Sequence, residues 1–241
     1  MRLENQIFLR SLCWQCSWSF TRMQCLGLAY AIYPLLKKLY GKNPLQLTHR
    51  TRCYLNCFNS NPYLAAGILG FLVHMESQGE AMGDQGLSLS SSLSALYGAV
   101  GDNFFWNGLK PMTSALAVMI FFWSPGLKAL LFLLLFYNLV HICIRYTVYL
   151  YGVHRGIGVL DKIDSLRLPL VRDVMEYITT VSLAVTAFLM VDYFNVKSRL
   201  GAGLFYLLIL LLIAGLWWYK KTGCKGIFIK KSELIGQEKV N

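Results

Sequence analysis

Asp102 and Asn103 are the residues best placed to do chemistry. They lie in the run Gly101-Asp102-Asn103-Phe104-Phe105-Trp106, set inside an otherwise apolar stretch. A charged side chain at membrane depth costs at least about 2.5 kcal/mol on insertion scales, so such a group faces a cavity or a partner. In one reading Asp102 and Asn103 line a solute site, with Trp106 offering an aromatic face to a sugar. In the other, Gly101-Asp102 is an interfacial turn whose aspartate caps the helix that follows. Lys110 and Pro111 then fall within or near the membrane. Proline is tolerated there where neighbours satisfy the carbonyl it frees, often where a helix is broken.

Three further groupings carry polar chemistry. In Asn59-Ser60-Asn61-Pro62, Pro62 suits the first turn of a helix, which leaves free amide donors beside two carboxamides. That arrangement serves either a polyhydroxylated ligand or a capped helix start. Arg145, one turn after His141, either snorkels to the interface or pairs with a carboxylate such as Asp102. Cys13-x-x-Cys16 and Cys53-x-x-x-Cys57 could in principle supply four thiolates, but the second spacing is loose and no turn-forming glycine flanks either pair. No metal or other cofactor is therefore expected. The chain has no Walker-type glycine loop and no supported Ser-His-Asp set, so no catalytic residue and no covalent chemistry of its own are expected.

The elements that position these residues are apolar helices. Of 241 residues 56% are hydrophobic and 15% charged, and the mean hydropathy is +0.46, more apolar than a soluble domain requires. Residues 200–219 form an uncharged run of spanning length that ends on Trp217, Trp218 and Tyr219 before Lys220 and Lys221, an aromatic belt followed by a lysine stop. Residues 174–194 and 129–153 are also long enough to cross, while 112–123 must begin further back, near Phe104. Residues 63–73 are too few to span and read as a re-entrant or buried segment. Residues 77–94, rich in Gly and Ser, read as a flexible loop, and 154–173 as a polar loop.

Residues 1–52 hold eight Lys or Arg against one Glu, with apolar positions Met23, Leu26, Ala29, Tyr30, Tyr33, Leu36, Leu39 and Tyr40 near helical spacing. The expected organisation is a basic amphipathic helical region at the cytoplasmic membrane face (1–58), a transmembrane helical domain with a re-entrant segment (59–219) and a basic cytoplasmic tail (220–241). The net charge of +11 sits mostly outside the apolar runs, which points to anionic lipid and not to nucleic acid. Seven scattered cysteines do not form a disulfide framework. The fold class is all-α, a polytopic helical membrane protein with broken or re-entrant segments and an N-terminal interfacial region.

Four segments, in order, resemble the D subunit (enzyme IID) of mannose-family phosphotransferase-system (PTS) sugar permeases. Phe8-Leu9-Arg10-Ser11 with Ser17-Trp18-Ser19-Phe20-Thr21-Arg22-Met23-Gln24 is similar to the family's N-terminal signature, and Phe58-Asn59-Ser60-Asn61-Pro62 to its Phe-Asn-Thr-x-Pro segment. Gly101 to Pro111 matches the Gly-Asp-x-x-Phe-Trp-x-x-x-Arg-Pro motif, and Asn138-Leu139-Val140, Arg145-Tyr146 and Tyr151-Gly152-x-x-x-Gly156 continue it. Asn103 stands where proline is usual, and Lys110 where arginine is usual; lysine lacks the planar fork of a guanidinium. The basic tail stands where the family continues with a further helix.

The resemblance implies a membrane subunit that pairs with IIC in the bacterial inner membrane. There it would take up a hexose coupled to phosphorylation by cytoplasmic IIB, itself supplied by IIA, with the phosphorylated histidines on other chains. The alternative is a degenerate IID-like assembly or docking protein without its own transport role. Asn59, Asn61, Asp102, Asn103, Trp106, Lys110 and Arg145 are the candidates for contact with sugar or IIC.

Overall fold

The computed structural model describes residues 2–56 and 58–193, together with four helical positions at 207, 210, 211 and 214. Most of the expected span at 200–219, the connection at 195–199 and the tail at 220–241 lie outside the described residues. The described chain is helical: α1 (Leu3–Ser11), α2 (Cys25–Tyr40), α3 (Pro44–Cys53), α4 (Ala65–Glu76), α5 (Glu80–Gly101), α6 (Lys110–Trp123), α7 (Leu127–Arg155), α8 (Val159–Ser165) and α9 (Leu168–Tyr193). A π-helical segment, Asp102–Leu109, joins α5 to α6 without interruption.

At the centre is α4, the short apolar run that cannot span. Every residue from Ala65 to Glu76 is buried except His74, which is half-buried. Its closest partner is α7, and small residues set the approach. A Cβ on Gly70 would lie 2.2 Å from the Tyr149 carbonyl oxygen, and one on Gly152 would lie 2.6 Å from that of Gly67. Such contacts are how helices pack where lipid removes the hydrophobic drive to associate. Gly156, at φ +55°, ends α7 in a conformation that side chains resist, over the His74 ring. His74 Nδ1 donates to the Val153 carbonyl at 2.9 Å, satisfying one of the last acceptors of α7.

Four helices meet at the other buried feature of α4. The Glu76 carboxylate accepts from Arg50 Nε at 2.9 Å and Arg50 Nη2 at 2.7 Å, a bidentate clamp from α3. Tyr40 of α2 donates to Oε1 at 2.9 Å, Tyr54 donates to Oε2, and Asp84 of α5 takes Arg50 Nη1 at 2.5 Å. Burial, reinforced by Glu76, pushes the Tyr40 phenol up to about 12 and the Tyr54 phenol above the usual range.

Several expectations are corrected. Residues 77–94 are not a loop: α5 starts at Glu80 and carries its Gly and Ser on a buried stripe of Gly83, Gly86, Ser90 and Ser94. A Cβ on Gly83 would lie 2.3 Å from Glu76 Oε2, so small size here serves close packing. The Ser90 and Ser94 hydroxyls donate back to the carbonyls of Leu87 and Ser91, both at 2.8 Å, hiding their polarity within the helix. The expected loop at 154–173 is also mostly helical, through α8 and the start of α9; Val159 and Ile163 of α8 are buried. No break occurs at Lys110-Pro111, because the widened π turn takes up the irregularity a proline imposes. In α2 the buried side is Cys25, Leu28, Ile32, Leu35 and Leu36, leaving Leu26, Tyr30 and Leu39 exposed. This helix is apolar on two sides.

Replacing Arg50 with Met strands the Glu76 carboxylate in the core. We expect a loss of about 3–5 kcal/mol, read as a lower melting temperature of the solubilised chain, with substantial recovery when Glu76→Gln is added. An unchanged melting temperature in the single variant would show that the ion cluster holds nothing together.

Candidate functional site

The polar centre forms where the segment before α4 meets the π turn. Gln24 fixes that segment: its side-chain Nε2 donates to the Ser60 carbonyl at 2.8 Å, its Oε1 accepts from Ser60 N at 3.2 Å, and its own backbone N–H donates to the Phe58 carbonyl at 2.9 Å. Asn61 is thereby aimed inward and is 1% exposed. Its Oδ1 accepts from the backbone of Tyr63 at 3.0 Å and Leu64 at 3.4 Å, capping the turn that leads into α4. Those acceptor bonds orient the carboxamide, so Nδ2 donates to Asp102 Oδ1 at 2.9 Å.

The Gly101-Asp102 dipeptide now has a physical reading. A Cβ at position 101 would lie 2.4 Å from the Asn61 Cβ, so glycine admits the asparagine while the next residue accepts a hydrogen bond from its amide. Asp102 has helical dihedrals, φ −62° and ψ −43°. It sits within a continuous helix and is not the cap of a new one, which disposes of the interfacial-turn reading.

Beside Asp102 lies a cavity of about 500 Å³ whose wall includes Gln15, Trp18, Asn59, Ser94, Asp102 and Trp106. Tyr63 packs beside Phe105 and Trp106, with ring centroids 4.5 and 6.0 Å away, and its hydroxyl is 3.1 Å from that of Tyr137. The Lys110 ammonium lies 4.9 Å from the Trp106 ring, a cation–π contact. Asn59, Asn61, Asp102, Trp106 and Lys110 are thus brought together. Asn103 is exposed on the same helix but outside the cavity wall.

Arg145 is elsewhere. It is 5% exposed, and its Nη2 donates to the Ser11 carbonyl and, at 3.3 Å, to the Ser11 hydroxyl. It tethers α7 to the C-terminal end of α1, where carbonyls and the helix dipole favour a cation. Its pairing with Asp102 is not formed, and neither is snorkelling to an interface. Gln24 and the Arg50–Glu76 cluster were missed by sequence reasoning. Gln24 carried a signal, since it closes the Arg22-Met23-Gln24 run that carried the resemblance. Arg50 and Glu76, 26 positions apart, carried none.

A family model described as "PTS system mannose/fructose/sorbose family IID component" matches residues 2–222. The chain belongs to this IID family. It is 35% identical over 163 residues to the PTS system mannose-specific EIID component of Escherichia coli (strain K12), covering 66% of this chain and 57% of that protein. It is 30% identical over 166 residues to the fructose permease IID component of Bacillus subtilis (strain 168), covering 67% and 60% respectively. The aligned stretch thus spans less than two thirds of each relative.

Among solved structures, a chain of the mannose transporter ManYZ complex with microcin E492 superposes with a TM-score of 0.61 at 25% identity, covering 92% of this chain and 88% of that one. A second match, described as a membrane protein, gives 0.63 at 27% identity over 77% and 69%. This IID chain is an all-α membrane protein, as its composition required. Within residues 127–191 lies an 18-residue window of mean hydropathy 2.1, only 6% of it buried, the pattern of a helix facing lipid.

Asn61→Ala removes one donor and one acceptor from the joint. We expect a cost of about 1–3 kcal/mol, measured as a drop in melting temperature, and a larger drop for Gly101→Val, whose side chain has no room. Equal stability of Gly101→Val and the parent would contradict the close approach.

Proposed function

We propose that the chain is the IID membrane subunit of a mannose-type PTS permease, multi-pass in the bacterial cytoplasmic membrane. It acts with a IIC subunit in uptake of a hexose that IIB, supplied by IIA, phosphorylates as it enters. The basic tail and the region 1–58 lie on the cytoplasmic side in this reading. No observation favours the alternative of a degenerate docking protein.

One observation carries the reading. Asp102, Asn103, Asn107 and Lys110 are exposed along one side of the helix, while Phe104, Phe105, Gly108, Leu109 and Met112 are buried on the other. At membrane depth an exposed row of charges and carboxamides is costly against lipid, so it faces protein or water. A IIC partner that covers this side and leaves the Asn59–Asp102–Trp106 cavity hydrated meets the requirement. The resemblance of fold to a ManYZ chain over 92% of the sequence supports such an assembly.

In cells supplied with IIA, IIB and IIC, tagged chain should copurify IIC and restore phosphorylation-coupled hexose uptake. Asp102→Leu should lower the recovered complex by about tenfold or more, as removing one partner of a desolvated polar contact does, whereas Asp102→Asn, which keeps an acceptor for Asn61, should retain it. Normal complex and normal uptake with Asp102→Leu would remove this residue from the mechanism.

A further inference from the structure

A second cavity is larger than the one beside Asp102. About 780 Å³ opens between the first turn of α1, the second half of α2 and the C-terminal ends of α4 and α7. Its chemistry is divided. Leu35, Leu39, Ile7 and Val73 make an apolar wall, and Arg2, Lys38 and His154 stand at its polar side.

The walls are firmly held. Tyr149 of α7 donates to the Glu4 carbonyl at 2.8 Å, fixing the start of α1, and His74 is already committed to the Val153 carbonyl at 2.9 Å and to the Gln78 carboxamide at 2.9 Å. Arg2 and Lys38 are exposed, and among the described residues neither takes part in an ion pair. Glu4 also lines the cavity and opposes an anion there. The lining contains no Phe, Tyr or Trp on which a sugar ring could stack, unlike the cavity beside Asp102.

We infer that this cavity binds one anionic glycerophospholipid, its phosphate held by Arg2 and Lys38 and an acyl chain laid along Leu35, Leu39 and Val73. Three features fit that ligand. Basic pockets between membrane helices select anionic headgroups. The volume lies in the range of small-molecule sites. The apolar wall would be wasted on a free anion, since only an amphiphile uses both halves. The inference rests on the chain's membrane location and not on which sugar, if any, it helps to move.

The test is native mass spectrometry of the full chain in detergent, titrated with phosphatidylglycerol, with phosphatidylcholine of the same acyl chains, and with inorganic phosphate. We expect one phosphatidylglycerol to bind about tenfold or more tightly than phosphatidylcholine, and millimolar phosphate not to displace it. Arg2→Gln with Lys38→Gln should weaken phosphatidylglycerol by roughly tenfold or more, Glu4→Gln should strengthen it, and Lys128→Gln at the far end of α7 should leave it unchanged. Equal binding of the two lipids would overturn the proposal, as would indifference to the Arg2/Lys38 and Glu4 changes in chains that melt like the parent. Displacement by phosphate alone would mark a free-anion site and overturn it equally. Uptake by the parent bears on the transport reading alone, so the two can fail separately.

Discussion

A helix of 12 residues cannot cross a hydrocarbon core, so both ends of α4 must find their hydrogen-bond partners inside the protein. Much of the described structure follows from that constraint. At the N-terminal end Asn61 caps the turn and Gln24 holds the preceding strand of chain. At the C-terminal end Glu76 is closed off by Arg50, Tyr40 and Tyr54. Along its length Gly70, with Gly152 of α7, lets the two helices approach until backbone touches backbone. The N-terminal helices, which the sequence marks as a basic surface layer, therefore also supply the polar ends that a buried short helix cannot provide for itself.

The same constraint explains why the family motif lies where it does. Gly101 is small because Asn61 occupies its side of the helix, and Asp102 is acidic because Asn61 has a donor to place. The π turn that follows widens the helix and puts Trp106 beside Tyr63, with Lys110 over the Trp106 ring. Asp102 is thus both an internal partner and an edge of the cavity, which joins the stability of α4 to the surface offered to other molecules. The two departures within the motif fall on exposed positions of that surface: Asn103 has a carboxamide where proline is usual, and Lys110 covers an indole with a point charge where arginine would offer a fork.

The hydropathy of the chain made the helical membrane class legible, and the shortness of 63–73 made a buried segment legible, because both depend only on length against the thickness of a bilayer. Asn59, Asn61, Asp102, Trp106 and Lys110 were legible as a group through their motifs. What failed was anything set by a distant partner. Gly83, Gly86, Ser90 and Ser94 read as a loop because local propensity cannot reveal that Glu76 presses against Gly83 and Met75 against Gly86. Arg145 read as a snorkelling cation or as a partner for Asp102 because the C-terminal carbonyls of α1, 134 positions away, are invisible to charge matching.

The central claim is that the exposed polar side of the π turn is covered by IIC. The direct measurement is the rate at which a water-soluble maleimide modifies Asn107→Cys, read peptide by peptide by mass spectrometry, in membranes holding this chain alone and together with IIC. The account predicts labelling slowed by about tenfold or more in the presence of IIC, with the exposed native thiols Cys13 and Cys16 on the same chain as internal standards. Equal labelling with and without IIC, in membranes where the two chains copurify, would contradict it.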